Sequence, residues 1–185
     1  MSSSAPELKA TAGPKMSDGW YLSDEPLPDH PLERLAYYAR LAPSSHNRQP
    51  WKFVIGESEI DLFADVDKWL RVADRDRREM FISLGCAIES IRIAADYAGY
   101  GTTVQHFPVL NNESLVARIT VNREGPKRDE AAGHLLRYMT LRHTSHRMFD
   151  ASRPVSDVDR KSMQNASQVG EVALHLISDA GILAG

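Results

Sequence analysis

A single cysteine, Cys86, in a chain of 185 residues excludes an internal disulfide and fits a reducing compartment. Cys86 lies within an apolar helical pattern and reads as a small buried hydrophobe rather than a nucleophile. No run approaches the ~18 apolar residues of a membrane span. The opening Met1-Ser2-Ser3-Ser4-Ala5-Pro6-Glu7 lacks the basic and apolar blocks of a secretory signal, so a cytoplasmic address is expected, with no membrane partner. Walker loop, Gly-x-Ser-x-Gly elbow and His-Glu-x-x-His motif are all missing. No Gly-x-Gly-x-x-Gly follows a strand pattern, which tells against a nucleotide held in the dinucleotide-fold manner. There is no excess of positive charge either: the formal net charge is −3, and no nucleic-acid partner is expected. Acids and bases interleave, as in Asp74-Arg75-Asp76-Arg77-Arg78-Glu79, a run that reads as solvated surface. His143 and His146 stand three apart, with His134 upstream. With no cysteine near and Asp150 the one carboxylate close by, they read as surface or hydrogen-bonding histidines, and no metal site is expected.

What is present suits one domain with a real core: 42% of residues are hydrophobic and 25% charged. Residues 1–30, rich in Ser, Pro, Gly and Asp, read as a flexible N-terminal arm, with Trp20, Tyr21 and Leu22 able to dock on the body or on a partner. Pro31 to Leu41 reads as a short helix opened by proline and stopped before Pro43. Trp51 to Ile55 and Glu59 to Ala64 read as a hairpin around Gly56-Glu57-Ser58. Residues 78–98 give the strongest helical period, a broad apolar stripe ended by Gly99 and Gly101. Gly85, inside that stripe, costs about 1 kcal/mol relative to Ala; close approach of another helix or of a ligand is the expected compensation. Thr102 to Val109 and Leu115 to Val121 form a second strand pair, and Glu124 to Arg128 a linker. Glu130 to Leu141 is expected to be helical. A further helix follows Pro154 with Ser156 as N-cap and Asp159 in its first turn. Glu171 to Ile177 alternates like a strand.

Two segments carry the chemistry. The turn-rich Ala42-Pro43-Ser44-Ser45-His46-Asn47-Arg48-Gln49-Pro50 offers backbone N–H groups and small polar side chains to something flat and polar. Arg142-His143-Thr144-Ser145-His146-Arg147 outlines an anion site of guanidinium, hydroxyl and imidazole groups. Taken alone such a cluster is more often a solvated helix end than a phosphate clamp, and it is the two segments together that favour the clamp. One set suits a ring system and the other a phosphate; flavin mononucleotide (FMN) presents both demands.

The first segment, continued through Trp51, resembles the Ala-Pro-Ser-x-x-Asn-x-Gln-Pro-Trp signature of the nitroreductase superfamily. Ser83 to Ala95 is similar to that family's long central helix, and Arg142-His143-Thr144 resembles its Arg-x-Ser element. The arginine element follows the loop by about a hundred residues instead of preceding it. That order resembles the Acg-like branch, in which one long chain holds two nitroreductase-like halves. The resemblance covers roughly residues 32–178. It implies an α+β sandwich of mostly antiparallel sheet with packed helices and a long central hydrophobic helix. It divides the chain into a first half at 31–125 and the start of an incomplete second half at 126–185. It implies FMN as cofactor, NAD(P)H as reductant and a small-molecule acceptor such as a nitroaromatic or quinone. The chain stops soon after its second half begins, so either it is a fragment or two chains associate to rebuild a sandwich; a homodimer is expected because the broad apolar helix wants another layer. Carried over by residue, Pro43, Ser44, Ser45 and Asn47 line the isoalloxazine and Gln49 supports the loop. Arg142 binds phosphate, Thr144 takes the place of the family serine, and His146 replaces a basic residue. An imidazole with its ordinary pKa near 6.5 is a weaker phosphate partner at neutral pH. A flavin-storing protein without turnover, or a non-catalytic fragment, is the alternative.

Overall fold

A computed structural model describes residues 27–125, 129–145, 147, 150, 152–167 and 174–177. The chain divides into two compact units, Met1–His143 and Thr144–Gly185. The first is α+β. Its core sheet is wholly antiparallel in the order β1-β2-β4-β3. The strands are β1 (Trp51–Ile55), β2 (Glu59–Ala64), β3 (Gly101–His106) and β4 (Leu115–Asn122). The helices of this unit are α1 (Pro31–Ala39), α2 (Arg78–Ala98) and α3 (Glu130–Leu141).

The hairpin β1–β2 closes as its alternating pattern demands. Ile55 pairs with Ile60, and Gly56 N–H donates to Glu59 O at 2.8 Å. Ile60, Leu62 and Ala64 of β2 point into the core. On the opposite face Arg118 of β4 meets Asp61 of β2 through two bonds of 2.7 and 2.6 Å, a bidentate cross-strand pair. The strand expected to run to Val109 stops at His106. Phe107 has φ 48°, a left-handed turn that leaves the sheet.

Helix α2 is the spine of the unit. Leu84, Ala87, Ile91, Ala94 and Ala95 are fully buried, and each Leu or Ile so placed stabilises the fold by about 1.5–3 kcal/mol. Its C-terminus is capped by Gly99 in the left-handed region (φ 77°), with Tyr100 N–H donating back to Ala95 O at 2.9 Å. Its N-terminus has no side-chain bond from the adjacent residue Arg77. Asp74 reaches across instead, accepting from Glu79 N–H at 3.0 Å and Met80 N–H at 2.9 Å. Asp74 is only 4% exposed, so the solvated reading of the charged run fails at this residue. A carboxylate facing the free N–H groups of a helix start is stabilised by them and by the helix dipole.

Helix α3 packs on α2, and the close approach occurs at Gly133. A Cβ there would lie 2.9 Å from the ring of Tyr97. At Gly85, by contrast, a Cβ would meet nothing within 4 Å among the described residues. The close helix approach expected there falls at Gly133 instead. Leu27, at the end of the sequence-read arm, is buried, and Arg34 donates to Pro28 O at 2.6 Å.

In the second unit α4 spans Asp157–Ala166. Ser156 caps it as expected, accepting from Asp159 N–H at 3.1 Å and donating to the Asp159 carboxylate at 2.6 Å. None of its residues is buried. The strand expected over Glu171 to Ile177 is not seen in its described part: residues 174–177 have no ladder partner among the described residues, and an unpaired strand has nothing to hold it. Residues 171–173 and most of the N-terminal arm lie outside the described residues.

Candidate functional site

The loop between α1 and β1 is locally strained. His46, Asn47 and Gln49 have φ of 49°, 53° and 50°. For a residue with a Cβ this region costs about 1–2 kcal/mol, less for Asn. Internal bonds hold the shape. Asn47 N–H donates to Ser44 O at 2.9 Å, Arg48 N–H to Ser45 O at 3.0 Å, and Gln49 N–H to Ser44 Oγ at 2.9 Å. Thus Ser44 stabilises the turn with its hydroxyl oxygen and keeps its proton uncommitted among the described residues. The side-chain amides of Asn47 and Gln49 have no hydrogen-bond partner among the described residues either. Pro43, His46, Asn47 and Arg48 are exposed; Ser44, Ser45 and Gln49 are half-buried.

Tertiary bonds then seat this turn on the start of α2. Ser45 N–H donates to Ser83 Oγ at 3.2 Å, and Ser83 donates in turn to Glu79 O at 2.8 Å. The Ser45 hydroxyl donates to the Glu79 carboxylate. At its far end the loop is tied to the sheet: Asp65 N–H donates to Pro50 O at 2.9 Å, and Lys52 Nζ lies 3.0 Å from the Asp65 carboxylate. That Lys52 bond holds the Asp65 carboxyl below the usual carboxylate range, against the opposing effect of burial.

Glu79, Ser83 and Cys86 share one face of α2 by their spacing of four and three. Arg142, at the end of α3, comes to the same neighbourhood. Its guanidinium donates to Leu41 O at 3.3 Å, across 101 residues of sequence, beside the residue that opens the loop. Burial pushes the Cys86 thiol pKa up, and the positive charge of Arg142 pulls the other way. The thiol is therefore neutral at ordinary pH, as a packing residue should be. The arrangement presents a strained polar turn, a cation close to its start and a half-buried helix face along which both lie.

Of the residues singled out in the sequence, Pro43, Ser44, Ser45, Asn47 and Gln49 share one turn, and Arg142 meets the residue just before it. Thr144 belongs to the second unit, and His146 lies outside the described residues. Sequence reasoning missed Asp74, Glu79 and Ser83. An acidic residue just ahead of a strong helical period is a capping signal that could have found Asp74; nothing local points from Ser45 to Glu79. Among the described residues no His, Cys, Asp and Glu cluster could hold a metal ion, and no helix is long and apolar enough to cross a membrane.

Residues 20–66 match the model of the Nitroreductase family. Over 140 residues, 75% of this chain, the sequence is 30% identical to the Mycobacterium tuberculosis H37Rv protein named "Putative NAD(P)H nitroreductase acg", 41% of which is covered. Over 137 residues, 74% of this chain, it is 31% identical to "Putative NAD(P)H nitroreductase Rv3131" of the same strain, 39% of which is covered. The chain thus spans about two fifths of the length of these relatives. A solved structure titled "putative nitroreductase in complex with fmn", from Desulfovibrio desulfuricans, is 16% identical over 57% of this chain and 78% of that one, with a TM-score of 0.44.

Proposed function

We propose, from the premise that nitroreductase-family sequence runs through residues 20–66 of this chain, that the 42–49 loop and Arg142 form part of an FMN site in an NAD(P)H-dependent oxidoreductase. The observation that carries the reading is the meeting of Arg142 with Leu41 at the mouth of the strained turn. The donor set suits the group. The uncommitted amides of Asn47 and Gln49 and the Ser44 proton match the carbonyl and ring-nitrogen edge of an isoalloxazine. A guanidinium matches its phosphate. When bound, FMN supplies hydride acceptance from a reduced nicotinamide and transfer to a small acceptor such as a nitroaromatic or quinone.

The chain's own part is to bind and orient. Pro43 and Ser44 shape the turn, Ser45 anchors it, Asn47 and Gln49 present amides to the ring, and Arg142 neutralises the phosphate. By the family resemblance, Thr144 takes the place of the family serine and His146 that of a basic residue. The relatives' greater length supports a site completed by further polypeptide, from a second half or from a second copy in a homodimer. A cytoplasmic setting, where reduced nicotinamide is available, goes with this reading.

Titration of the protein into FMN tests it. Saturable quenching of flavin fluorescence is expected, weakened by Arg142→Ala for FMN while riboflavin, which has no phosphate, binds the variant as it binds the parent. Absence of binding at micromolar concentrations overturns the reading. Anaerobic addition of NADPH then distinguishes turnover, seen as bleaching of the bound flavin, from storage, in which the colour persists.

A further inference from the structure

We infer that Glu79 is a positioning residue that holds the 42–49 loop in its ligand-receiving shape, acting through Ser45. The inference rests on the proposed FMN site and names a residue outside the loop on which that site depends.

The loop is seated on α2 through Ser45. Ser45 is fastened twice, by its N–H to Ser83 Oγ at 3.2 Å and by its hydroxyl to the Glu79 carboxylate. The two acceptors are themselves linked, since Ser83 donates to Glu79 O at 2.8 Å. Glu79 is in turn held by its own N–H, which donates to the buried carboxylate of Asp74 at 3.0 Å. A rigid, buried element therefore ends in one exposed carboxylate, and that carboxylate grips the residue next to the first left-handed position, His46.

The loop needs such a grip. Left to itself, a turn with His46, Asn47 and Gln49 all at positive φ relaxes toward ordinary backbone. Its internal bonds close a small ring through Ser44 and Ser45 but do not tie that ring to the rest of the fold. Tertiary bonds do: Ser45 N–H to Ser83 Oγ, Arg48 Nε–H to Lys68 O at 3.2 Å, and the Ser45 hydroxyl to the Glu79 carboxylate, which as a bond to an ionised group is about twice as strong as a neutral one. Holding the loop before the ligand arrives removes an ordering cost from binding. Glu79 touches neither the ring nor the phosphate in this scheme, and its effect passes through Ser45 alone.

The test compares the parent with Glu79→Ala, Glu79→Gln and Ser45→Ala. FMN dissociation constants, the shape of the bound flavin's visible absorption spectrum, apo-protein melting and amide hydrogen exchange are measured for each. Glu79→Ala is expected to weaken FMN about tenfold, the factor one charge-assisted hydrogen bond supports, and to alter the flavin spectrum while the apo melting temperature stays put. Glu79→Gln, which keeps an acceptor oxygen but not the charge, restores part of the affinity. Ser45→Ala reproduces the loss, and combining it with Glu79→Ala adds nothing further. In the apo protein the amides of Asn47, Arg48 and Gln49 exchange faster in Glu79→Ala, and those of β1 and β2 do not. Unchanged FMN affinity and unchanged loop exchange in Glu79→Ala overturn the inference while the FMN site stands. A parent that binds no FMN overturns the site, and loop exchange alone then decides whether Glu79 is the latch.

Discussion

The α1–β1 loop at 42–50 and the β3–β4 loop at 107–114 share one unusual trait and differ in what they expose. Both hold non-glycine residues at positive φ: His46, Asn47 and Gln49 in the first, Phe107 and Asn111 in the second. The 107–114 loop is tied to its surroundings as well, with Ala64 N–H donating to Ser114 O at 2.8 Å and Arg77 3.7 Å from the Glu113 carboxylate, and it is tightened by its own side chains. Asn112 accepts from Ser114 and Leu115 N–H at 3.2 and 3.4 Å, and Phe107 lays its ring edge-on to Phe81 with centroids 5.9 Å apart. It exposes apolar side chains, Leu110 at 89%. The 42–50 loop is anchored at both ends by tertiary hydrogen bonds and exposes polar groups that nothing in the described chain uses. Backbone strain alone therefore does not mark a site. Strain around uncommitted polar donors does.

The largest effect on this contrast comes from its shared foundation. Both loops touch the first two turns of α2, through Ser45 with Glu79 and Ser83, and through Phe107 with Phe81. Asp74→Ala removes the two bonds that cap those turns and is expected to cost about 1–3 kcal/mol. Chemical denaturation measures the loss, and hydrogen exchange should show both loops loosened together. Protection of 45–49 that survives the substitution would show the loop is held from elsewhere.

A smaller effect separates the loops. Gln49→Gly and Asn111→Gly each replace a left-handed residue with the one that tolerates that region freely. Each is expected to leave stability unchanged or raise it by up to about 1 kcal/mol. Only Gln49→Gly should weaken FMN, because only it removes a site amide. Equal FMN binding in the two variants would place Gln49 outside the site.

The smallest concerns the sheet end of the 42–50 loop. The folded pKa of Asp65 lies below its unfolded value, chiefly through the hydrogen bond from Lys52. Its contribution is therefore fully present above the unfolded value of about 4 and is lost as pH falls through the folded value. Lys52→Met should lower the neutral plateau slightly, the contribution being discounted because Lys52 is largely exposed, and flatten the acid limb so that parent and variant converge at low pH. Melting temperatures from pH 7 down to the acid transition check this; parallel acid limbs in parent and variant would remove Lys52 from the account.

Much of the fold in both units was legible because its signals are local. The period of residues 78–98, the alternation of Glu59 to Ala64 and the Ser156 cap each follow from neighbours a few positions apart, and each element stands where its pattern put it. The failures share the opposite cause. Asp74 looked like one more surface charge until the fold closed over it. Of the two approaches expected at Gly85, that of another helix fell at Gly133 instead, because which helix meets which is a matter of docking. The alternation at Leu174 to Ile177 had no strand beside it among the described residues to complete a ladder.

For the candidate site the same division holds. The residue types of the 42–50 loop and their resemblance to a flavin-binding signature stand in the chain order itself, since a turn of prolines, serines and asparagine can be read without knowing its surroundings. That Arg142 comes to Leu41, and that Glu79 and Ser83 grip Ser45, depends on contacts between residues 34 to 101 positions apart. Only the packing of α1 and α3 against α2, driven by burial of their apolar faces, brings those partners within hydrogen-bonding reach.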